Sequence, residues 1–246
     1  MKNNLQLFVD DFNKVKELGF IPSNRSNSTG IGKTFEDVIG VVENNATEPD
    51  LHGFELKSHR NLSESYVTLF TKAPTIPKGA NTYLRVKYGS SDNEFPNIKV
   101  LHTSIFHGRF NSHIAGAKFS LEINYKEERV YIVVQRNDGS FDKSVYYSFD
   151  SLKKALFKLN NLAYVSADTR RNGNVEEFHF TNATIFSEFK GLEHFLKMIE
   201  FRLIMYDVRI GAYKKGDKIG KTHDHGSGFR IKKENMKMLY EHYIKI

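Results

Sequence analysis

In the stretch EPDLHGFELKS, residues 48–58, two acids and a lysine stand where they could work together. Glu55 and Lys57 alternate with Phe54 and Leu56, the period-two pattern of a strand with one buried face. Residues i and i+2 of a strand share a face, so Glu55 and Lys57 point the same way. Asp50, five residues before Glu55, can swing in from the preceding turn. Two carboxylates offer hard oxygen ligands to a divalent cation and leave positions open for water and phosphate. A lysine beside them can orient or deprotonate an attacking water and offset charge on a phosphate. Those are the requirements of metal-assisted phosphodiester hydrolysis.

The E-x-K spacing alone is weak, and it recurs as Glu188-Phe189-Lys190. That copy has no aspartate upstream nearer than Asp168, and it abuts a helix start at Gly191, so it reads as a solvated strand end. The plain alternative for the first copy is an exposed strand face with a surface ion pair. A second feature is STGIGKTFED, a glycine-containing turn before a helix expected to be capped by Thr34, with Asp37 as capping-box acid. Phe35, Val38, Ile39 and Val42 form its apolar stripe, and Glu36 in the first turn lies off it. An acid there gains about 0.5 kcal/mol from the helix dipole. Its other reading is a third carboxylate near the cation.

The elements that must position these groups alternate helix and strand signals. Leu5, Phe8, Phe12, Val15 and Leu18 recur at helical spacing. HGFELK is a strand, and YVTLFTK is expected as its antiparallel neighbour. YLRVKYG is compatible with helix or strand. IKVLHTSIF, FSLEINY, RVYIVVQ and VYYSF read as strands, joined by the KEE and NDGS turns. DSLKKALFKL is a helix, LAYVSADTR and VEEFHFT flank a turn as a hairpin, GLEHFLKMIEF is a helix, and RLIMYDVRI is a strand. A polar loop, GAYKKGDKIGKTHDHGSG, leads to FRIKKENMKMLYEHYIKI, expected to end in a helix. The sum is α+β with a mixed sheet, without internal repeats.

The 246 residues suffice for one large domain or two lobes, with 39% hydrophobic and 26% charged residues. No apolar run approaches a membrane span. Asp10, Asp11 and Glu17 interrupt the N-terminal apolar pattern, which argues against a signal peptide. Zero cysteines exclude disulfides and thiolate metal sites, and point to a cytoplasmic protein. A net charge of +7 suits a polyanionic partner such as nucleic acid.

The C-terminal third holds groups that suit base edges outside any apolar pattern. Arginine forks match guanine N7 and O6, and acids accept from the cytosine amino group. Asp207 and Arg209 share a strand face, His223, Asp224 and His225 sit in the polar loop, and Arg230 follows Gly228-Phe229. The plain readings are a surface ion pair for Asp207–Arg209, worth under about 1 kcal/mol, and a metal pair for His223 and His225 that lacks a third ligand. Lys33, Arg60, Lys214, Lys215, Lys218 and Lys221 are candidates for phosphate contact or simple solvation.

The set T-G-x-G-K-x-F-E followed by D-x4-E-L-K resembles the active-site signature of the MutH-like branch of the PD-(D/E)XK nucleases. GFRIKKENMKMLYEHY is similar to that branch's closing strand-and-helix segment. The combination looks closest to the MvaI/BcnI-type restriction endonucleases. The resemblance implies a PD-(D/E)XK fold with a mixed central sheet flanked by helices and two lobes forming a DNA cleft. The catalytic lobe would lie mainly in residues 1–100 and the recognition lobe in 101–246. It implies Asp50 and Glu55 as ligands of Mg²⁺, Lys57 as catalytic lysine and Glu36 as accessory acid. It further implies cleavage of double-stranded DNA at a G/C-rich pseudopalindrome of the CCWGG type, leaving 5′-phosphate ends. The enzyme would be a monomer in the bacterial cytoplasm, with a cognate DNA methyltransferase as genetic partner. The alternatives are a MutH-like mismatch-repair nickase that needs an activating partner, a basic DNA-binding module without catalysis, and a hydrolase using His223 and His225.

Overall fold

The structure is a computed structural model that describes residues 3–27, 29–41, 49–61 and 66–246. Helix α1 (Asn4–Glu17), the short strand β1 (Ile21–Pro22), helix α2 (Gly30–Ile39) and strand β2 (Glu55–Arg60) come first. Next are β3 (Val67–Thr71), α3 (Ala80–Tyr88), the short β4 (Ser90–Ser91) and β5 (Lys99–Ile105). A meander of β6 (Lys118–Asn124), β7 (Arg129–Gln135) and β8 (Phe141–Ser148) leads to α4 (Phe149–Leu156). A long hairpin, β9 (Asn161–Asn172) and β10 (Val175–Phe189), precedes α5 (Gly191–Glu200) and β11 (Ile204–Ala212). Strands β12 (Thr222–Asp224), β13 (Gly228–Ile231) and β14 (Tyr240–Lys245) complete it. No helix among the described residues is long and apolar enough to cross a membrane.

The elements fall into two compact units, one of residues 1–67, 157–190 and 233–246, the other of residues 68–156 and 191–232. The two units interleave along the chain.

In the first unit β14 and β1 both pair with β10, which pairs with β9, which pairs with β2 at the edge. The β9–β10 pair is antiparallel, whereas β2 runs parallel to β9, with Glu55 opposite Leu162 and Lys57 opposite Tyr164. One face is apolar: Leu56, Ala163, Val165, Ala167, Phe178, Phe180, Ala183 and Ile185 pack against Phe8, Phe12 and Val15 of α1 and Ile31 and Phe35 of α2. A bulge between Phe180 and Asn182 shifts the alternation, so Phe178 and Phe180 before it and Ala183 and Ile185 after it meet the same core. Since Leu56 faces the helices, Glu55 and Lys57 face the opposite side.

The second unit holds a sheet of order β3-β13-β11-β5-β4, with β12 also on β11, and the β6-β7-β8 meander. Phe229 centres an aromatic core, with ring centroids 5.1–5.3 Å from Phe70, Tyr147, Phe195 and Tyr206.

Four expectations give way here. β3 is not the neighbour of β2; it pairs with β13 in the other unit's sheet, because alternation identifies a strand but not its partner. α2 begins at Gly30, four residues before the expected cap, so Glu36 lies in its second turn. Thr34 is fully buried inside it and accepts the Asn24 N–H through Oγ1 at 3.1 Å, while Asp37 pairs with Lys33. Val38 and Ile39 do pack on the apolar cluster; Val42, assigned to the same stripe, lies outside the described residues. The chain closes as a 3₁₀ segment over Lys233–Leu239 and strand β14, not as an α-helix, because the edge of β10 from Thr184 to Phe189 takes the final residues into its ladder. The polar loop after β11 is shorter than its composition suggests, since β12 forms within it.

Candidate active site

The approach of Asp50 to Glu55 comes from a tight turn. His52 and Gly53 both have positive φ, 48° and 80°, the pattern of a two-residue hairpin that favours glycine at its second position. Leu51 and Phe54 close it with reciprocal backbone hydrogen bonds of 3.1 and 2.8 Å. His52 Nε2 lies 2.9 Å from Asp11 Oδ2, which ties the turn to α1. The hairpin folds Asp50 back along β2, where its Oδ2 accepts the Leu56 N–H at 2.9 Å.

Glu55 opens β2 and is only 2% exposed. Its Oε1 accepts from Lys57 Nζ at 2.6 Å and from Lys158 Nζ at 2.8 Å. Its Oε2 is buried and has no hydrogen-bond partner among the described residues. Burial pushes the Glu55 carboxyl upward, but the Lys57 charge and hydrogen bonds from Lys158 and Lys57 outweigh it and hold the carboxyl below its ordinary value. Asp50 goes the other way. It lies at the surface as a residue, yet crowding of its carboxyl and the charge of Glu55 raise its pKa against the Leu56 hydrogen bond.

The same face carries two tyrosines. Tyr164 of β9 stands opposite Lys57 in the ladder, under Lys233 Nζ at 5.1 Å from the ring centroid. Tyr240 is close enough that the Glu55 charge adds to burial in raising its phenol pKa. Both hydroxyls are buried without hydrogen-bond partners among the described residues.

No group of three or more His, Cys, Asp or Glu among the described residues converges to bind a metal. That leaves His223 and His225 without a third ligand. Asp50 and Glu55 supply two carboxylates, and Glu55 Oε2 is a buried acceptor with nothing on it. This donor set fits a hard divalent cation that completes its shell with water and phosphate oxygens.

Of the remaining candidates in this unit, Glu36 is half-buried on α2. Lys33 bridges to Asp37 at 2.6 Å. Arg60 ends β2 with Nε and Nη2 forked on the Glu176 carboxylate at 2.8 and 2.7 Å. The second E-x-K copy sits at the end of β10, with Glu188 in the left-handed region at φ 61°. Its side chain is 68% exposed and 3.7 Å from His242.

In the second unit β11 gathers the other predicted residues. Asp207 is 7% exposed and accepts from Ser104 Oγ at 2.9 Å and Arg209 Nε at 2.6 Å. Arg230 Nε is 3.1 Å from the same Asp207 oxygen but out of line for a hydrogen bond, and its Nη2 donates to the Gly226 carbonyl. Burial lowers the Arg230 pKa despite the Asp207 charge. The His223 ring stacks on Tyr213 at 4.5 Å and lies 4.4 Å from His225. Asp224 is taken up structurally: its Oδ1 accepts the Gly226 and Ser227 N–H groups and its Oδ2 accepts from Asn81. Lys214 is paired with Asp92 at 3.1 Å.

Sequence reasoning missed Lys158, Tyr164 and Tyr240. No local spacing marks them, because the pairing of β9 with β2 and of β14 with β10 brings them to the site.

The chain matches the model of the MvaI/BcnI restriction endonuclease family over residues 9–240. A solved complex of restriction endonuclease MvaI with its cognate DNA substrate is similar with a TM-score of 0.90 at 35% identity, over 100% of this chain and 99% of that one. MvaI in the absence of DNA is similar with a TM-score of 0.63 at 36% identity, over 100% and 98%. No curated protein matches the sequence.

Proposed function

The chain belongs to the MvaI/BcnI restriction endonuclease family and is a site-specific DNA nuclease, and from that premise we propose how it cuts and what it reads. It hydrolyses double-stranded DNA with Mg²⁺ at the Asp50–Glu55–Lys57 cluster, leaving 5′-phosphate ends. The observation that carries this reading is the buried, unpartnered Glu55 Oε2 beside a hairpin that delivers Asp50.

A divalent cation on these carboxylates supplies charge to polarise the scissile phosphate and acidify a water. The protein's part is to keep Glu55 ionised in a buried place, which Lys57 and Lys158 do through Oε1. Lys57, on the same face, would orient the attacking water and offset the charge on the scissile phosphate. Asp50 is anchored through Oδ2 on the Leu56 amide, which holds its carboxylate beside the start of β2. Glu36 serves as an accessory acid.

Specificity would come from the β11 face. Arg209, half exposed and held by Asp207, presents a fork suited to guanine, and Arg230, His223 and His225 line the same region. The target is a G/C-rich pseudopalindrome of the CCWGG type, read by a monomer whose host carries a matching methyltransferase. Lys33 and Arg60 would touch backbone phosphates.

Cleavage of unmethylated DNA tests the proposal. Discrete double-strand fragments in Mg²⁺ and none in EDTA support it, and end-sequencing reads the site. Nicking that requires an added partner protein would favour the mismatch-repair reading, and binding without cleavage the DNA-binding module.

A further inference from the structure

We propose that Lys158 is a second active-site lysine that serves as counter-ion of Glu55 in the ligand-free enzyme and offsets the negative charge gained in the transition state of the loaded one. This rests on the hydrolytic reading of the site given above.

The geometry is specific. Lys158 lies in the 3₁₀ turn Phe157–Leu159, just ahead of β9. Because β9 runs parallel to β2 with Leu162 opposite Glu55, that turn sits beside the start of β2. Lys158 Nζ reaches Glu55 Oε1 at 2.8 Å, the same oxygen that Lys57 holds at 2.6 Å. Lys57 alone would satisfy that oxygen, and a lysine drawn from a distant segment onto it is not needed to complete the strand. Lys158 keeps 29% of its side chain exposed, so it is not there to fill the core.

Charge explains it. Glu55 is almost fully buried, and a buried anion requires counter-charge. Lys57 and Lys158 balance the charges of Asp50 and Glu55 in the ligand-free cluster. A phosphodiester carries one negative charge, and two once hydroxide has added to it, so each positive charge at the site is felt more strongly in the transition state than in the ground state. The second lysine therefore fits the transition state better than the ground state, which is the condition for accelerating the chemical step. The same charge repels the incoming cation, so Lys158 should weaken cation binding while raising the rate.

These opposite signs make the test. Mn²⁺ binding to DNA-free protein is measured by electron paramagnetic resonance. Single-turnover cleavage of pre-bound DNA is measured at saturating Mg²⁺. Lys158→Met keeps the stem and removes the charge, and Lys57 still orients Glu55. It should tighten Mn²⁺ binding about tenfold, from loss of like-charge repulsion, and slow cleavage by on the order of tenfold or more. Lys158→Arg, which keeps the charge, should stay near wild type in both. Lys158→Gln replaces Met should that variant fail to fold by circular dichroism. Unchanged or weaker Mn²⁺ binding, an unchanged cleavage rate, or an arginine variant that behaves like the neutral one would overturn the proposal. A wild type that neither binds Mn²⁺ nor cleaves would instead remove the hydrolytic reading beneath it.

Discussion

Glu55-Leu56-Lys57 and Glu188-Phe189-Lys190 are the same pattern in the same unit, and they are built in opposite ways. In the first, extended backbone keeps both charged residues on one face and closes them to 2.6 Å, with Glu55 2% exposed. In the second, Glu188 has left-handed φ at the strand's end, its side chain is 68% exposed, and its near neighbour is His242. Lys190 turns instead toward Glu241 at 3.9 Å. The tripeptide does not make a site. Burial of the acid, a regular strand through the lysine, a hairpin delivering Asp50 and a second lysine from elsewhere set the proposed one apart. Burial is what gives the charges force, since solvent screens an exposed pair to little effect.

Breaking the buried copy should have the largest effect. Asp50→Ala and Glu55→Gln each remove a proposed cation ligand and should reduce cleavage by on the order of a thousandfold, read by fragment release at fixed Mg²⁺. Lys57→Ala should cost on the order of a hundredfold, because Lys158 still neutralises Glu55. At the other copy, Glu188→Ala and Lys190→Ala should leave the rate within about twofold, as expected of solvated surface charges.

Stability sharpens the comparison through pH. The Glu55 carboxyl is held below its ordinary 4.5, so its stabilisation is full above that pH and lost as pH falls through the lower folded value. Glu55→Gln, which loses charged hydrogen bonds to two lysines, should cost about 2 kcal/mol at neutral pH, in urea melts, and less in acid. Asp50 is held above its ordinary 3.8, so ionising it costs the folded state. Asp50→Asn should raise the melting temperature of the metal-free protein at neutral pH, with the gain gone below pH 3.8. Glu188→Gln should do neither.

What was legible in the sequence was what is local. Glu55 and Lys57 share a face by strand geometry, and Asp50 reaches them across a short turn. The β9–β10 hairpin and the helices α1 and α5 declare themselves by period and turn residues. Non-local pairing was not legible. Lys158 depends on β9 lying parallel to β2, and Tyr240 on β14 joining β10. Alternation in YVTLFTK could not say which sheet it enters. The start of α2 was masked by its glycines, which argue against helix. A Cβ at Gly30 would collide with the Arg25 carbonyl oxygen, so glycine is required there by the preceding loop. The final segment has helix-forming residues, and its strand is imposed by the open edge of β10.

The most direct test of the central claim uses one unmethylated phage DNA and three proteins: wild type, Glu55→Gln and Glu188→Gln. Each is incubated with Mg²⁺ and with EDTA. The account predicts discrete fragments from wild type and Glu188→Gln in Mg²⁺ alone, and none from Glu55→Gln. Cleavage that survives in Glu55→Gln, or that fails in Glu188→Gln with its fold intact, would contradict it.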